Sequence, residues 1–144
     1  MLTQQNLIES DYEITPFTNL ISLAQSKLNN DKFLFSVRMK QLATFRRITG
    51  TWELGIDTPD YELYCAAKKI HSDIPFIIFF ETMEPQEIKW IYLDTVSSNG
   101  RKWQDAVHFP RGIIFIKTSD TCTLQNGVLF THSHVIQQKL GDVK

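Results

Sequence analysis

Hydrophobic and polar positions alternate most clearly in KFLFSVRMKQ (32–41), where Phe33, Phe35, Val37 and Met39 interleave with Leu34, Ser36, Arg38 and Lys40. A period of two predicts a strand that sends the first set to one face and the second to the other. Arg38 and Lys40 are therefore expected on the same side, where the strand leaves the core for a cleft. Upstream, DYEITPFTNLISL (11–23) mixes β-branched, aromatic and polar residues, and Pro16 interrupts any central ladder, so an interrupted strand or hairpin arm is expected. The polar AQSKLNND that follows ends in Asn29, Asn30 and Asp31, which favour a turn between antiparallel strands.

Residues 41–57 keep neither period and contain Gly50 and Gly55, which predicts a long loop or a weak hairpin. A helix-start signal follows, with Thr58 as N-cap, Pro59 at the first helical position, and Asp60 and Glu62 near the positive end of the dipole. Leu63, Ala66, Ala67 and Ile70 then recur at helical spacing, and Lys68 and Lys69 fall in the last turns, so the pattern predicts a helix over 59–71. IPFIIFF reads as a strand buried on both faces, because no polar residue interrupts it. EIKWIYLD reads as its hairpin partner, with Lys89, Ile91 and Leu93 on one face and Ile88, Trp90 and Tyr92 on the other. SSNGRKWQDAVHFPRG is expected to be a long connection holding one helical turn around Trp103 to Val107, and GIIFIKT a further strand. The tail offers a turn at Asn126-Gly127, a short strand and an amphipathic helix through Val135, Ile136 and Leu140. The expected fold is α/β (α+β), a central mixed β-sheet flanked by helices, in a single domain over residues 1–144.

Composition narrows the function classes. Hydrophobic residues make up 42% and charged residues 22% of the 144 positions, enough to form a packed core. The formal net charge of −1 excludes the basic balance of a protein that coats nucleic acid, leaving room only for a local basic stripe. Cys65 and Cys122 form no CxxC pattern and read as buried thiols in a reducing compartment. MLTQQNLIES has neither a basic n-region nor an apolar stretch, and the longest apolar run spans Ile74 to Phe80, so a cytoplasmic location without membrane insertion is expected.

The order strand, strand, long loop, helix, strand, strand carries a family likeness. DYEITPF, FLFSVRMKQ and the stretch YELYCAAKKIHSDIPFIIFFETMEPQEIKWIYLD resemble the strands and helix of the PD-(D/E)XK, or restriction-endonuclease-like, superfamily, and its small nuclease-like domains of defence systems and mobile elements. The resemblance spans Asp11 to Val96. It implies a restriction-endonuclease-like core, here with a short N-terminus that leaves almost no room for the long helix usual before the first strand. It also implies Mg²⁺ held by an Asp and a Glu or Gln at adjoining strand ends, with a Lys two residues after the Glu beside the attacking water or the phosphate.

Carried onto this chain, the resemblance assigns the catalytic lysine to Lys40. Arg38 stands at the Glu/Gln position and Thr15 at the second Asp of that family's D-Y-G-I-D strand. Arginine has donors only and a permanent charge, so it does not ligate Mg²⁺. Asp11 and Glu13 are the nearest carboxylates for the metal, with Glu53 and Asp57 on the following loop as further candidates. Glu87-Ile88-Lys89 spells a second E-x-K, and its plain reading is the solvated end of a hairpin. His132 and His134 have the spacing of a strand-borne metal pair, yet no third ligand stands nearby. Arg46 and Arg47, with Arg38 and Lys40, and Arg101-Lys102 before Trp103 have the composition of a nucleic-acid-binding stripe with an aromatic for stacking, or of an ordinary solvated loop.

Two functions follow as expectations. One is a divergent Mg²⁺-dependent DNA endonuclease of phage or mobile-element biology, with catalysis impaired by the altered motif. The other is a non-catalytic nuclease-fold protein, such as a viral or mobile-element factor, that binds a host defence protein or nucleic acid. Homodimerisation is expected by analogy alone.

Overall fold

The computed structural model describes residues 2–124 and Phe130. It has an α+β architecture in which a mixed six-stranded sheet, order β1-β2-β3-β6-β7-β10, packs against a four-stranded antiparallel sheet, order β4-β5-β9-β8. In chain order the elements are α1 (Leu2–Glu9), β1 (Tyr12–Pro16), β2 (Ser22–Ser26), β3 (Lys32–Gln41), β4 (Thr44–Arg46), β5 (Thr51–Asp57) and α2 (Thr58–Ile70). They continue with β6 (Phe76–Met83), β7 (Gln86–Tyr92), α3 (Leu93–Asn99), β8 (Arg101–Asp105), β9 (Phe109–Lys117), a 3₁₀ turn at Thr118–Asp120 and β10 (Cys122–Leu124). Among the described residues, no helix is long and apolar enough to cross a membrane.

The six-stranded sheet is buried on both faces at its centre. β3 and β6 run parallel, with Leu34 opposite Phe76 and Val37 opposite Phe79. A parallel pair needs a crossover, and α2 lies within the segment that supplies it. Leu34, Phe76, Ile78, Phe80 and Ile91 face Leu54, Ile56, Ile114 and Ile116 of the second sheet, with Tyr64 of α2 and Val96 of α3 in the same cluster. On the other face Phe33, Phe35, Ile77, Phe79 and Trp90 cluster with Leu7 of α1 and with Phe130. The unbroken apolar run from Phe76 to Phe80 is what such a strand requires.

Several expectations change here. Before the first strand there is room for a short helix, α1 (Leu2–Glu9), which is tied down when the Thr3 N–H donates to Glu81 (2.8 Å). Residues 41–57 form the β4–β5 hairpin. The segment around Trp103 to Val107, expected to be a helical turn, is strand β8 and the start of a turn, stabilised by Asp105 Oδ1 accepting from the backbone of Val107 and His108. The N-cap of α2 is Asp57, not Thr58. That helix also buries a different face: Tyr64 is fully enclosed, while Leu63 and Ile70 are 53% and 77% exposed. A tyrosine wins this place because its hydroxyl finds a buried partner, Ser36, at 2.8 Å. Both cysteines are partly exposed, not buried. The turn, strand and helix expected after Gln125 lie outside the described residues, as do His132 and His134.

Truncation of Ile78, which sits in the parallel strand with no exposed surface, is expected to cost about 3 kcal/mol. Ile70→Ala on the exposed face of α2 is expected to be close to neutral in chemical denaturation. Equal losses for the two variants would show that the helix buries the face with Leu63 and Ile70 after all.

Candidate functional site

The four-stranded sheet brings two distant basic segments together. Cross-strand pairing aligns Gly55 with Phe115 and Phe115 with Arg101, while Arg46 pairs with Thr51 on the other side of β5. Because Gly55 has no side chain, Ile113 of β9 occupies the space it leaves, 2.5 Å from where a Cβ would stand, with the Phe115 ring beside it at 3.8 Å. The Arg46 guanidinium lies 4.1 Å from the centre of that ring and the Arg101 guanidinium 4.9 Å. Stacking of this kind fixes a planar, permanently charged donor fork in one orientation.

Their charges are balanced differently. Arg101 Nη2 lies 3.4 Å from Glu53 Oε1, and the Glu53 carboxylate, 1% exposed, also accepts hydrogen bonds from Thr49 and Thr51. Arg46 has no carboxylate partner among the described residues, and neither do Arg47, Lys40 and Lys117. From Met39 to Trp52 the chain carries three cations and no acid. The outer part of the β4–β5 ribbon, up to Trp52, is thus a local basic patch on a chain of net charge −1, while the ribbon's acids, Glu53 and Asp57, face Arg101 and Arg38. Its opposite side presents Phe45 and Trp52, paired across the ribbon with ring centres 5.7 Å apart and left 52% and 57% exposed.

Lys102 is on the neighbouring strand position, opposite Ile114, and therefore projects from the other face of the sheet than Arg101. Trp103 returns to the face of Arg101, where its indole N–H donates to Asp105 (3.1 Å). The hydrogen bonds from the backbone of His108, and then from Trp103 and the backbone of Val107, hold the Asp105 carboxyl down at about 2.

Residues assigned to catalysis by resemblance are not assembled into one site. Glu13 is level with Gln25 of β2 and so with Lys32 of β3. Lys40 is at the far end of β3, roughly 25 Å away at about 3.3 Å per residue. Asp11, in the left-handed region (φ 65°) just after α1, lies beyond Glu13 at that same end. Nor do Arg38 and Lys40 share a face as the alternation suggested. Arg38 pairs with Phe80 and Gln41 with Thr82, so β3 carries one extra residue there, with Lys40 at φ 55°. This bulge turns Lys40 into an open cavity of about 440 Å³ with Leu2, Met39, Glu81 and Met83, on the α1 side of the sheet.

Arg38 stays on the opposite face beneath α2. Its guanidinium donates to Asp60 (2.9 Å) and Tyr64 (3.3 Å) and lies 3.5 Å from Asp57. Burial works most strongly against its charge, but the hydrogen bonds it donates to Asp60 and Tyr64 outweigh it, so its pKa stands above the ordinary arginine value. Both further carboxylate candidates are therefore committed to arginines, Asp57 to Arg38 and Glu53 to Arg101. A Mg²⁺ ion does not fit this position: the central group is a cation, and no three His, Cys, Asp or Glu residues converge among the described residues. The second E-x-K is an ion pair of β7, Lys89 to Glu87 at 3.2 Å.

The cation–aromatic ribbon escaped the sequence because two signals hide it. The β4–β5 segment has no clean period, and the ring that unites Arg46 and Arg101 comes from β9. Removal of Arg101 strands a carboxylate that is almost fully enclosed, so Arg101→Ala is expected to destabilise the protein by about 3 kcal/mol. Lys102→Ala, one residue on and exposed, is expected to change stability little. Similar effects of the two in urea denaturation would mean that Glu53 does not depend on Arg101.

Compared with known proteins, the chain matches no family model, no curated protein and no solved structure, which leaves these side chains themselves as the guide to function.

Proposed function

We propose that this chain is a non-catalytic nucleic-acid-binding domain whose core resembles the PD-(D/E)XK nucleases in its succession of strands and crossover helix. The observation that carries the reading is the β4–β5 ribbon: Arg46 held on Phe115, Arg47 beside it and Lys40 before it, with no acid between Met39 and Trp52. A guanidinium fixed in place without a carboxylate partner is suited to phosphate oxygens. Such contacts position a protein on nucleic acid and supply affinity without reading sequence. The non-catalytic part of the reading is supported by the separation of Lys40 from Asp11 and Glu13 and by the ion pairs of Arg38 with Asp57 and Asp60.

A second reading has its own support. Met39, Leu42, Ile48 and Met83 are each 46% or more exposed near the same ribbon, and exposed apolar surface of this kind also suits a protein partner.

Fluorescence anisotropy with labelled DNA over a range of salt concentrations separates the two. Binding is expected to weaken steeply with salt, and the folded Arg46→Gln/Arg47→Gln variant is expected to lower the salt slope by up to about two. An unchanged affinity and slope in that variant would contradict the phosphate contacts and favour the protein partner. In parallel, DNA incubated with Mg²⁺ or Mn²⁺ is expected to stay intact; cleavage that disappears in Lys40→Ala would restore the endonuclease.

A further inference from the structure

We infer that the β4–β5 ribbon takes single-stranded nucleic acid in preference to duplex, with bases stacking on the Phe45–Trp52 pair. This rests on the nucleic-acid reading above and adds the strandedness of the ligand. Phe45 and Trp52 form a non-core pair: both belong to the side of the ribbon that carries Leu54 and Ile56 into the core, but they lie beyond the cover of the six-stranded sheet. Their rings meet edge to face at 64°, so at least one ring face points to solvent.

A base can use such a face only when its own is free. In a duplex both faces of each base are covered by neighbours, whereas a single strand can splay its bases onto aromatic side chains. The charge arrangement complements the same ligand. β4 is the edge strand of its sheet, so a nucleic-acid backbone following that edge passes Arg47 in the turn, with Arg46 on the far side of the ribbon. Of the ribbon's two carboxylates, Glu53 is enclosed and paired with Arg101, and Asp57 stands at the far end of β5 beside Arg38. Cations flanking exposed rings are the two components that sequence-tolerant single-strand binding needs.

The full chain is titrated against a labelled oligothymidylate and against a duplex of the same length, in the same moderate salt, with tryptophan fluorescence recorded alongside. The single strand is expected to bind about ten-fold more tightly than the duplex and to quench the tryptophan signal. Trp52→Leu and Phe45→Leu are each expected to weaken single-strand binding by about ten-fold, on the scale of one stacked base, and to leave duplex binding within about two-fold. Both residues are more than half exposed, so the variants are expected to keep the wild-type circular dichroism. Equal affinities for the two ligands, with both leucine variants silent, would overturn the inference while leaving phosphate binding by the arginines in place. Failure of the folded protein to bind either ligand would overturn both and assign the exposed rings to a protein partner.

Discussion

Parallel pairing of β3 with β6 constrains everything around it. Two parallel neighbours cannot be joined by a tight turn, so the chain between them must leave the sheet and return, and it uses that excursion to build β4, β5 and α2. A strand such as β6, apolar from Phe76 to Phe80, must also be covered on both faces. One cover is the four-stranded sheet with α2 and α3, and the other includes α1 and Phe130. The position of the candidate site is a consequence. The same excursion that satisfies the parallel pair pushes the β4–β5 ribbon past the edge of the core, where its aromatic pair stays exposed and Arg46 meets Phe115 on the outer face of the second sheet.

Arg38 sets the chemistry of its own neighbourhood. Under α2, its neighbours Ser36, Asp57, Asp60 and Tyr64 form a connected polar network. A guanidinium in this place satisfies the carboxylates that a metal would otherwise need, and it does so without an ion. The bulge at Lys40 then separates that lysine from the network by sending it to the other face of the sheet. These two local facts, an arginine and an extra residue in β3, leave the carboxylates under α2 paired with a guanidinium and the lysine on the other face.

What could be read from the sequence follows the strength of each local signal. β3, β6 and β7 and their faces were legible because burial imposes a clean period or an unbroken apolar run, and α2 was legible from Thr58-Pro59 and its length. α1 and α3 were not, because eight and seven residues carry too little periodicity to stand out. The buried face of α2 was misread because Tyr64, polar by its hydroxyl, displaces Leu63 and Ile70 through a hydrogen bond that only the tertiary structure supplies. The site was legible as a set of residue types, not as a constellation: Arg46 and Arg101 were both visible, but the Phe115 ring unites them through a strand register that only the tertiary structure supplies. The proposed pairing of Asp11 or Glu13 with Lys40 failed for the corresponding reason, since adjacency in a motif says nothing about which end of a ten-residue strand each group occupies.

The central claim is that the β4–β5 ribbon, and not the neighbourhood of Arg38 or of Asp11, is where this protein meets its ligand. Backbone amide NMR of the full chain, titrated with a short single-stranded oligonucleotide, tests it most directly. The predicted result is a set of shift changes concentrated at Phe45, Arg46, Arg47 and Trp52, with Asp11, Glu13, Asp57 and Asp60 undisturbed. Changes centred on those four carboxylate residues, with the ribbon silent, would contradict it.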